Sequence, residues 1–199
     1  MRVARESWPL VAALALLAAA VGFLLHPLAA LPVLAAAGFT LWFFRDPERE
    51  TPREPDALVS PADGRVITAG PRAISIFMNV FDVHVCRAPT GGRVESLKHE
   101  PGRFLAAFRD EASEQNERVS ILLTDGPRQV RCTLVAGLIA RRIVCKVAAG
   151  QRLEAGERVG LIQFGSRVDV ALPEGSRILA GTGQKVLAGE TVLARLPPL

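Results

Sequence analysis

Residues 160–173 read GLIQFGSRVDVALP: one apolar run enters Gly165-Ser166-Arg167 and a second apolar run leaves it. Short runs of this kind recur through the second part of the chain, with Gly and Pro between them, and predict strands joined by turns. They cover residues 65–68, 73–77, 83–87, 119–124, 130–136, 141–147, 158–164, 168–172 and 192–196. The spacing favours a mainly β (α+β) fold, an antiparallel sandwich or barrel. Residues 104–117 carry the one helix predicted outside the N-terminal region.

A repeated pattern lies within this series. Residues 149–162 (AGQRLEAGERVGLI) and 182–193 (TGQKVLAGETVL) both carry Gly-Gln, a basic residue, an apolar residue and then Ala-Gly-Glu. The pattern is similar to the half-motifs of biotinyl domains and predicts a pseudo-symmetric β unit. A non-enzymatic carrier module would also need a lysine in a Met-Lys-Met-like setting, and Lys185 in GQKV lacks it.

The first 44 residues hold most of the apolar excess of the chain. Residues 8–25 and 28–44 are two uncharged apolar runs separated by His26-Pro27. Each is near the lower length limit for crossing a hydrocarbon core of about 30 Å. Two runs with a short break predict a membrane-associated helical hairpin rather than a cleaved signal peptide. A buried hairpin of a soluble protein is the alternative.

The distribution of charged residues predicts the orientation of the hairpin in the membrane and the boundaries between the parts of the chain. Arginines flank the hairpin on both outer sides, at positions 2, 5, 45, 49 and 53, which predicts that both ends are cytoplasmic. We therefore predict a hairpin at 1–44, a charged, Pro-rich linker at 45–57 and a domain at 58–199. The net charge of +4 fits a solvated basic surface or attraction to anionic lipid. No basic segment is interleaved with aromatic residues, so nucleic acid is not a predicted partner.

Three cysteines, Cys86, Cys132 and Cys145, show no CxxC spacing and leave an odd number for pairing. They are typical of reduced, buried thiols in a cytosolic compartment, and no metal site is predicted from them. The Gly165-Ser166 pair alone predicts only a turn between strands. A second Gly-Ser-Arg, at residues 175–177, follows Pro and Glu in a loop and is set aside.

Five blocks together resemble the short bacterial type of phosphatidylserine decarboxylase. They are FFRDPER (43–49), SPADG (60–64), NVFDVHVCRAP (79–89), PGRFLAAFRDEASEQNER (101–118) and the stretch 135–173 that contains GLIQFGSRVDVALP. The blocks occur in the family's order and span nearly the whole chain. Any one of them is weak, whereas the set is highly specific.

The resemblance implies a self-processing enzyme of a bacterial cell membrane with its catalytic domain on the cytoplasmic side. The bond between Gly165 and Ser166 would be cut by the protein itself, giving a β chain (1–165) and an α chain (166–199) that stay together as a heterodimer. Ser166 would become a covalent pyruvoyl cofactor. Through a Schiff base with that group, phosphatidylserine of the bilayer would lose CO2 and become phosphatidylethanolamine. Any higher homo-oligomer is left open.

The residue types suit such a cleavage. A serine hydroxyl needs a neighbouring base before it can attack a carbonyl, and glycine on the carbonyl side removes the crowding of a Cβ. His84 matches the histidine of the family's Asp-x-His block and suits proton transfer near neutral pH. By resemblance Asp63 of SPADG orients His84, which completes an Asp63–His84–Ser166 relay.

Non-catalytic interpretations are also open: His84 could be a structural histidine in a strand, and Asp63 could be an ordinary turn aspartate. The longer enzymes of the family carry a second histidine three residues after the first, where this chain has Arg87. How His84 and other groups divide the proton transfers therefore stays open, and Arg87 is a candidate for contacting the lipid phosphate.

A membrane-tethered zinc hydrolase is the alternative function. SPADGRV followed by DVHV is superficially similar to β-rich peptidases that use His and Asp as metal ligands. Such a site needs three protein ligands. The chain has three histidines, and His26 lies in the hairpin turn while His99 lies in a polar loop, so few ligands remain.

Overall fold

A computed structural model of the chain describes residues 2–108, 111–138, 142–163 and 166–199. It divides into two compact units, Met1–Glu48 and Arg49–Leu199. The residues predicted as a linker, 45–57, are shared between them. The segment from Arg49 onward belongs to the second unit.

The first unit is a pair of apolar helices, α1 (Trp8–Leu24) and α2 (Leu31–Phe43). Between them Pro27 opens a short 3-10 turn, and the extended backbone of His26 ends the first helix. The ring nitrogen Nδ1 of His26 accepts a hydrogen bond from the N–H of Leu28 at 3.2 Å. The predicted N-terminal helical hairpin is confirmed. Two short strands, β1 (Arg2–Val3) and β2 (Arg45–Asp46), pair antiparallel beside it.

By length and composition, one helix of the described chain could cross a membrane. It runs from Arg5 to Leu24 with a mean hydropathy of 2.1, and the second apolar helix, Pro27–Phe43, is shorter.

The second unit is almost entirely β structure. Its strands are β3 (Ala57–Val59), β4 (Gly64–Gly70), β5 (Ala73–Met78), β6 (Val85–Arg87), β7 (Gly92–Glu100), β8 (Arg118–Asp125), β9 (Arg128–Val135), β10 (Ile143–Cys145), β11 (Arg152–Leu153), β12 (Arg158–Ile162), β13 (Ser166–Ala171), β14 (Arg177–Ile178), β15 (Lys185–Val186) and β16 (Val192–Arg195). The predicted mainly β, antiparallel fold is confirmed.

Eight of these strands form one curled antiparallel sheet in the order β11-β7-β8-β9-β13-β5-β4-β15, and two three-stranded sheets, β10-β12-β6 and β14-β16-β3, accompany it. Alternate residues of the central strands belong to the hydrophobic core: Val168 and Val170 on β13, and Ile74, Ile76 and Met78 on β5. This period of two is what the apolar alternation of the sequence encodes.

The second unit contains two halves that repeat each other. We call β6–β12 the inner half and β3–β5 with β13–β16 the outer half. The sheet orders pair β11 with β15, β7 with β4, β8 with β5 and β9 with β13 about the centre of the large sheet. The chain begins the outer half, completes the whole inner half and then returns to finish the outer half.

Equivalent hydrogen bonds demonstrate the repeat. In the outer half the N–H of Val66 donates to the carbonyl of Gln184 at 2.9 Å, and in the inner half Val94 donates to Gln151 at 2.8 Å. Gly189 donates to Ser60 at 2.7 Å, as Gly156 does to Ala88 at 2.8 Å. The two biotinyl-like segments of the sequence therefore occupy matching places in the two halves.

The nesting of the halves positions one strand junction. In the inner half, β8 and β9 are joined by a tight turn, and Arg128 pairs with Asp125 across it. In the outer half the equivalent pair is Ser166 with Met78. These two residues are the first of β13 and the last of β5, and the entire inner half lies between them in the chain.

The helix predicted at 104–117 is wrong in most of its length. Only α3 (Ala112–Gln115) is helical in the described part of that stretch. The side chain of Asn116 forms hydrogen bonds with both backbone groups of Leu105: it accepts from the N–H at 2.8 Å and donates to the carbonyl at 2.9 Å. Because a side chain satisfies these groups, the backbone does not need helical hydrogen bonds there.

Candidate active site

Ser166 is fully buried at the first position of β13. Its hydroxyl lies 3.2 Å from the sulfur of Met78, the residue paired with it on β5. A thioether is a weak acceptor, so this contact holds the hydroxyl only loosely. Gly165, the other residue of the predicted cleavage site, lies outside the described residues.

β13 is a central strand of the large sheet. Its residues pair with β5 from Ser166 to Ala171 and with β9 from Arg167 to Ala171. On the outer face, the guanidinium of Arg167 donates to Asp169 at 2.6 Å and to the hydroxyl of Ser75 at 2.9 Å. Ladders on both edges and a side-chain network therefore hold this strand in place from its second residue onward.

His84 is buried just before β6. Its ring nitrogen Nδ1 lies 2.9 Å from the backbone carbonyl of Asp82. A carbonyl can only accept a hydrogen bond, so this contact requires a proton on Nδ1, and in the neutral ring the lone pair then lies on Nε2. The neutral ring is then a base at Nε2.

Two chain paths bring His84 toward Ser166. Met78, the partner of Ser166, is followed six residues later by His84. From the other side, the backbone carbonyl of His84 accepts from the N–H of Ile162 at 3.2 Å, four residues before Ser166. Within the part of the chain that the structure describes, the hydroxyl of Ser166 is hydrogen-bonded to Met78 and not to His84.

Asp63 lies in the segment alongside β6, where the N–H of Arg87 donates to the carbonyl of Pro61 at 2.8 Å. Its buried carboxylate accepts from Arg49 at 2.8 and 3.0 Å, and from the backbone N–H of Ala188 at 2.7 Å. Among the described residues these are its hydrogen bonds, and none goes to His84. The ring of His84 is instead oriented by the carbonyl of Asp82 in this conformation.

Arg49 was missed as a site residue by sequence reasoning, which used it only as a flanking charge of the hairpin and as part of the FFRDPER block. Its side chain is 8% exposed, its Nη1 lies 3.7 Å from Glu190, and its Nε has no hydrogen-bond partner in the described chain. A buried guanidinium is retained where it is paired, and here the main partner is Asp63.

Comparison of the two halves shows that only the outer half has a carboxylate at the position of Asp63. By the equivalence of Gly64 and Gly92, the counterpart of Asp63 is Gly91. A Cβ at Gly91 would lie 3.7 Å from the backbone nitrogen of Ala155, the counterpart of Ala188. The outer half alone therefore places a carboxylate at this point.

Cys86, between His84 and Arg87, is a buried thiol near Asp63. Burial raises the pKa of Cys86 well above its ordinary value, and the neighbouring Cys132 and Asp63 raise it further. The thiol is therefore neutral near physiological pH and adds no second negative charge beside the carboxylate.

Arg87, the candidate for the lipid phosphate, is 6% exposed. Its guanidinium donates to the backbone carbonyl of Gly156 at 2.9 Å. A role in binding phosphate stays a prediction.

No group of three or more His, Cys, Asp or Glu side chains that could hold a metal ion occurs among the described residues. His99, the histidine set aside by sequence reasoning, lies 3.0 Å from Glu117 on the half-exposed edge of β7.

Comparison with known proteins gives a consistent result. The family model described as phosphatidylserine decarboxylase matches residues 36–72 and 68–194. The chain is 50% identical over 208 residues to a phosphatidylserine decarboxylase proenzyme of Symbiobacterium thermophilum, covering 98% of this chain and 96% of the relative. It is 44% identical over 210 residues to a protein of the same name from Burkholderia mallei, covering 98% and 95%. A Burkholderia ambifaria relative of that name is 44% identical over 209 residues, covering 98% and 96%.

Proposed function

Since this chain belongs to the phosphatidylserine decarboxylase family, and is therefore a decarboxylase, we propose that it converts phosphatidylserine to phosphatidylethanolamine and CO2 with a pyruvoyl group made from its own Ser166. The relatives are named proenzymes, which fits an enzyme that is activated by cleavage. The observation that carries the proposal is the position of Ser166, fully buried at the first residue of a central strand.

The chain's own groups carry out the bond cleavage, and water enters only in the last step. Nε2 of His84 takes the proton as Oγ of Ser166 attacks the carbonyl of Gly165. That proton passes to the nitrogen of residue 166 as the peptide C–N bond breaks, which leaves an ester and a free amine. Loss of the α-proton of residue 166 then expels the carboxylate that ends at Gly165 and leaves a dehydroalanine. Addition of water and release of ammonia convert that residue to a pyruvoyl cap on Arg167.

The fold supports a break at this point. The outer half has no turn between β5 and β13, so cutting before Ser166 removes no direct connection between neighbouring strands. Pairing with β5 and β9 keeps β13 in the sheet, and β14–β16 pair with strands of the outer half. We therefore expect the β chain (1–165) and the α chain (166–199) to remain a heterodimer.

The site can hold a pyruvoyl group because that group would take the position of Ser166 and occupy no more volume than the serine. The pyruvoyl ketone supplies an electron sink for the bond that breaks to the substrate carboxylate. Ser166 is fully buried and in contact with Met78, and Asp63 and Arg49 form a buried charge pair in the same unit. His84 is the candidate for returning a proton to the substrate carbon, and Arg87 remains a candidate for the phosphate.

We place the enzyme on the cytoplasmic face of the cell membrane, held by the residue 1–44 hairpin. The arginines on both flanks of the two apolar helices support this orientation. Protease added to sealed inside-out vesicles should digest the second unit, whereas right-side-out vesicles should protect it.

Mass spectrometry of the purified protein tests the central claim. We expect two chains ending and beginning at residues 165 and 166, the smaller lighter by one ammonia than a serine-ended chain. Ser166→Ala should give one uncut, inactive polypeptide. Ser176→Ala, in the second Gly-Ser-Arg, is the matched control and should process normally. An unbroken, active wild-type chain would overturn the proposal.

A further inference from the structure

Three large apolar side chains of the second unit stand out from the loops at one end of the sheet. Phe81, Phe108 and Leu138 are 68%, 63% and 62% exposed. We call these three residues the entrance cluster. Exposed apolar side chains gathered at one place mark an interaction surface, whereas scattered ones need no explanation.

The topology places all three beside Ser166. Phe81 follows Met78, the strand partner of Ser166, by three residues, and Leu138 follows Val135, the partner of Arg167, by three. The ring of Phe108 lies 6.1 Å, centroid to centroid, from the ring of Phe77, which is the other partner of Arg167. Three residues of chain span at most about 11 Å, so Phe81 and Leu138 lie no farther than this from residues paired with the start of β13.

The exposure of Phe81 is built into its loop. The N–H of Asn79 donates to the carboxylate of Asp82 at 2.9 Å, and the amide oxygen of Asn79 accepts from the N–H of Phe81 at 2.7 Å. These bonds fix a tight turn that carries the ring outward. Asp82 at the base of the turn also provides the carbonyl that orients His84.

We propose that the entrance cluster docks on the lipid bilayer and enters its headgroup region, so that the Ser166 end of the sheet faces the membrane from which the substrate comes. This rests on the proposed function, because only a substrate held in a bilayer requires the site to meet the membrane. Aromatic rings and leucine are the side chains that partition into this interface.

Tryptophan fluorescence of the full-length, processed protein tests the docking directly. Trp8 and Trp42 are first replaced by Phe, and Phe81→Trp, Phe108→Trp and Leu138→Trp are then made one at a time. The probe is a vesicle of phosphatidylcholine and phosphatidylglycerol with brominated acyl chains. We expect quenching at all three positions and none in Leu179→Trp, a control at a 47%-exposed leucine outside the cluster. Absence of quenching at all three would overturn the proposal.

Activity measurements on bilayer and monomeric substrates distinguish a loss of membrane docking from a loss of catalysis. In the triple variant Phe81→Ser/Phe108→Ser/Leu138→Ser we expect turnover of bilayer phosphatidylserine to fall roughly tenfold, because each large apolar side chain adds to interfacial affinity. Self-cleavage and turnover of a short-chain, monomeric phosphatidylserine should stay within about twofold, as both should in Leu179→Ser.

Each other outcome has a definite meaning. Equal losses on both substrates would overturn docking as the role of the cluster, and so would a changed oligomeric state with quenching absent. A wild-type protein without decarboxylase activity would refute the proposed function, while the quenching result would still decide the docking.

Discussion

Nη2 of Arg49 donates to both carboxylate oxygens of Asp63, at 2.8 and 3.0 Å, in an ion pair whose side chains are each 8% exposed. The pair joins the first residues of the second unit to the segment that runs alongside β6. The third hydrogen bond of the carboxylate comes from Ala188 on the returning part of the chain. Asp63 is therefore held by residues from both ends of the outer half.

Arg49→Gln should lower the free energy of unfolding by about 3 kcal/mol, because it leaves a buried carboxylate without its counter-charge. Urea unfolding of the detergent-solubilised protein measures the change. Arg53→Gln, at an exposed arginine of the same segment, is the control and should change little. A loss no larger than that of Arg53→Gln would contradict the assigned pairing.

A double-mutant cycle of Arg49→Gln with Asp63→Asn isolates the pair itself. Asparagine keeps an oxygen for the N–H of Ala188 but removes the charge, so Arg49→Gln should cost much less in the Asp63→Asn background. We expect a coupling energy of about 1–3 kcal/mol, in the range of residues in direct contact. Additive effects would show that the ion pair contributes nothing to stability.

Much of the fold could be predicted because it is encoded locally. The alternation of apolar residues gives strands such as β5 and β13, and the two Gly-Gln segments give the repeat. β7 was not predicted, since Glu95, Ser96 and Lys98 face solvent and mask the alternation in its sequence. The helix prediction for 104–117 failed because the side chain of Asn116, within the same stretch, took the hydrogen bonds of the Leu105 backbone.

The sequence supplied the candidate site only as a set of residues, and their catalytic roles stay predictions. Ser166, His84 and Asp63 could be named from the resemblance, but which group each one contacts depends on tertiary structure. Asp63 and Ala188 are 125 residues apart in the chain, and no local pattern connects them. The nesting of one half within the other, which separates Ser166 in the chain from its strand partner Met78, also emerges only from the strand order.

Gly64, next to Asp63, should not tolerate a side chain. Its φ is +152°, and a Cβ would lie 2.2 Å from the carbonyl oxygen of Phe77. Gly64→Ala should therefore cost roughly 2 kcal/mol or more in unfolding free energy, from backbone strain and a backbone clash. Gly181→Ala is the control, because a Cβ at that position would have no atom within 4 Å among the described residues. Similar stabilities of the two variants would contradict the close approach of β4 and β5.

Met78 should influence how fast the chain cleaves itself. Met78→Leu keeps the volume of the side chain, so its stability cost should stay below about 1.5 kcal/mol. It also removes the weak acceptor of the Ser166 hydroxyl, and cleavage should proceed at the wild-type rate or faster. Met78→Gln offers a stronger acceptor and should slow cleavage several-fold. A time course of chain splitting after synthesis measures both, and a much slower Met78→Leu would mean that the sulfur contact assists the attack.

The buried thiols should report on the integrity of the second unit. Burial raises the pKa of Cys86 and of Cys132, so both stay protonated in the folded protein at a pH where an unfolded cysteine, with a pKa of about 8.5, ionises. Since the folded state then binds more protons than the unfolded state, stability should be full below about pH 8.5 and fall as the pH rises beyond it. Alkylation followed by mass spectrometry at pH 8 should modify half-buried Cys145 first and leave Cys86 and Cys132 intact until urea is added. In Cys86→Ala the loss of stability between pH 8 and pH 10 should be smaller, and labelling of Cys86 as fast as Cys145 would contradict its burial beside Asp63.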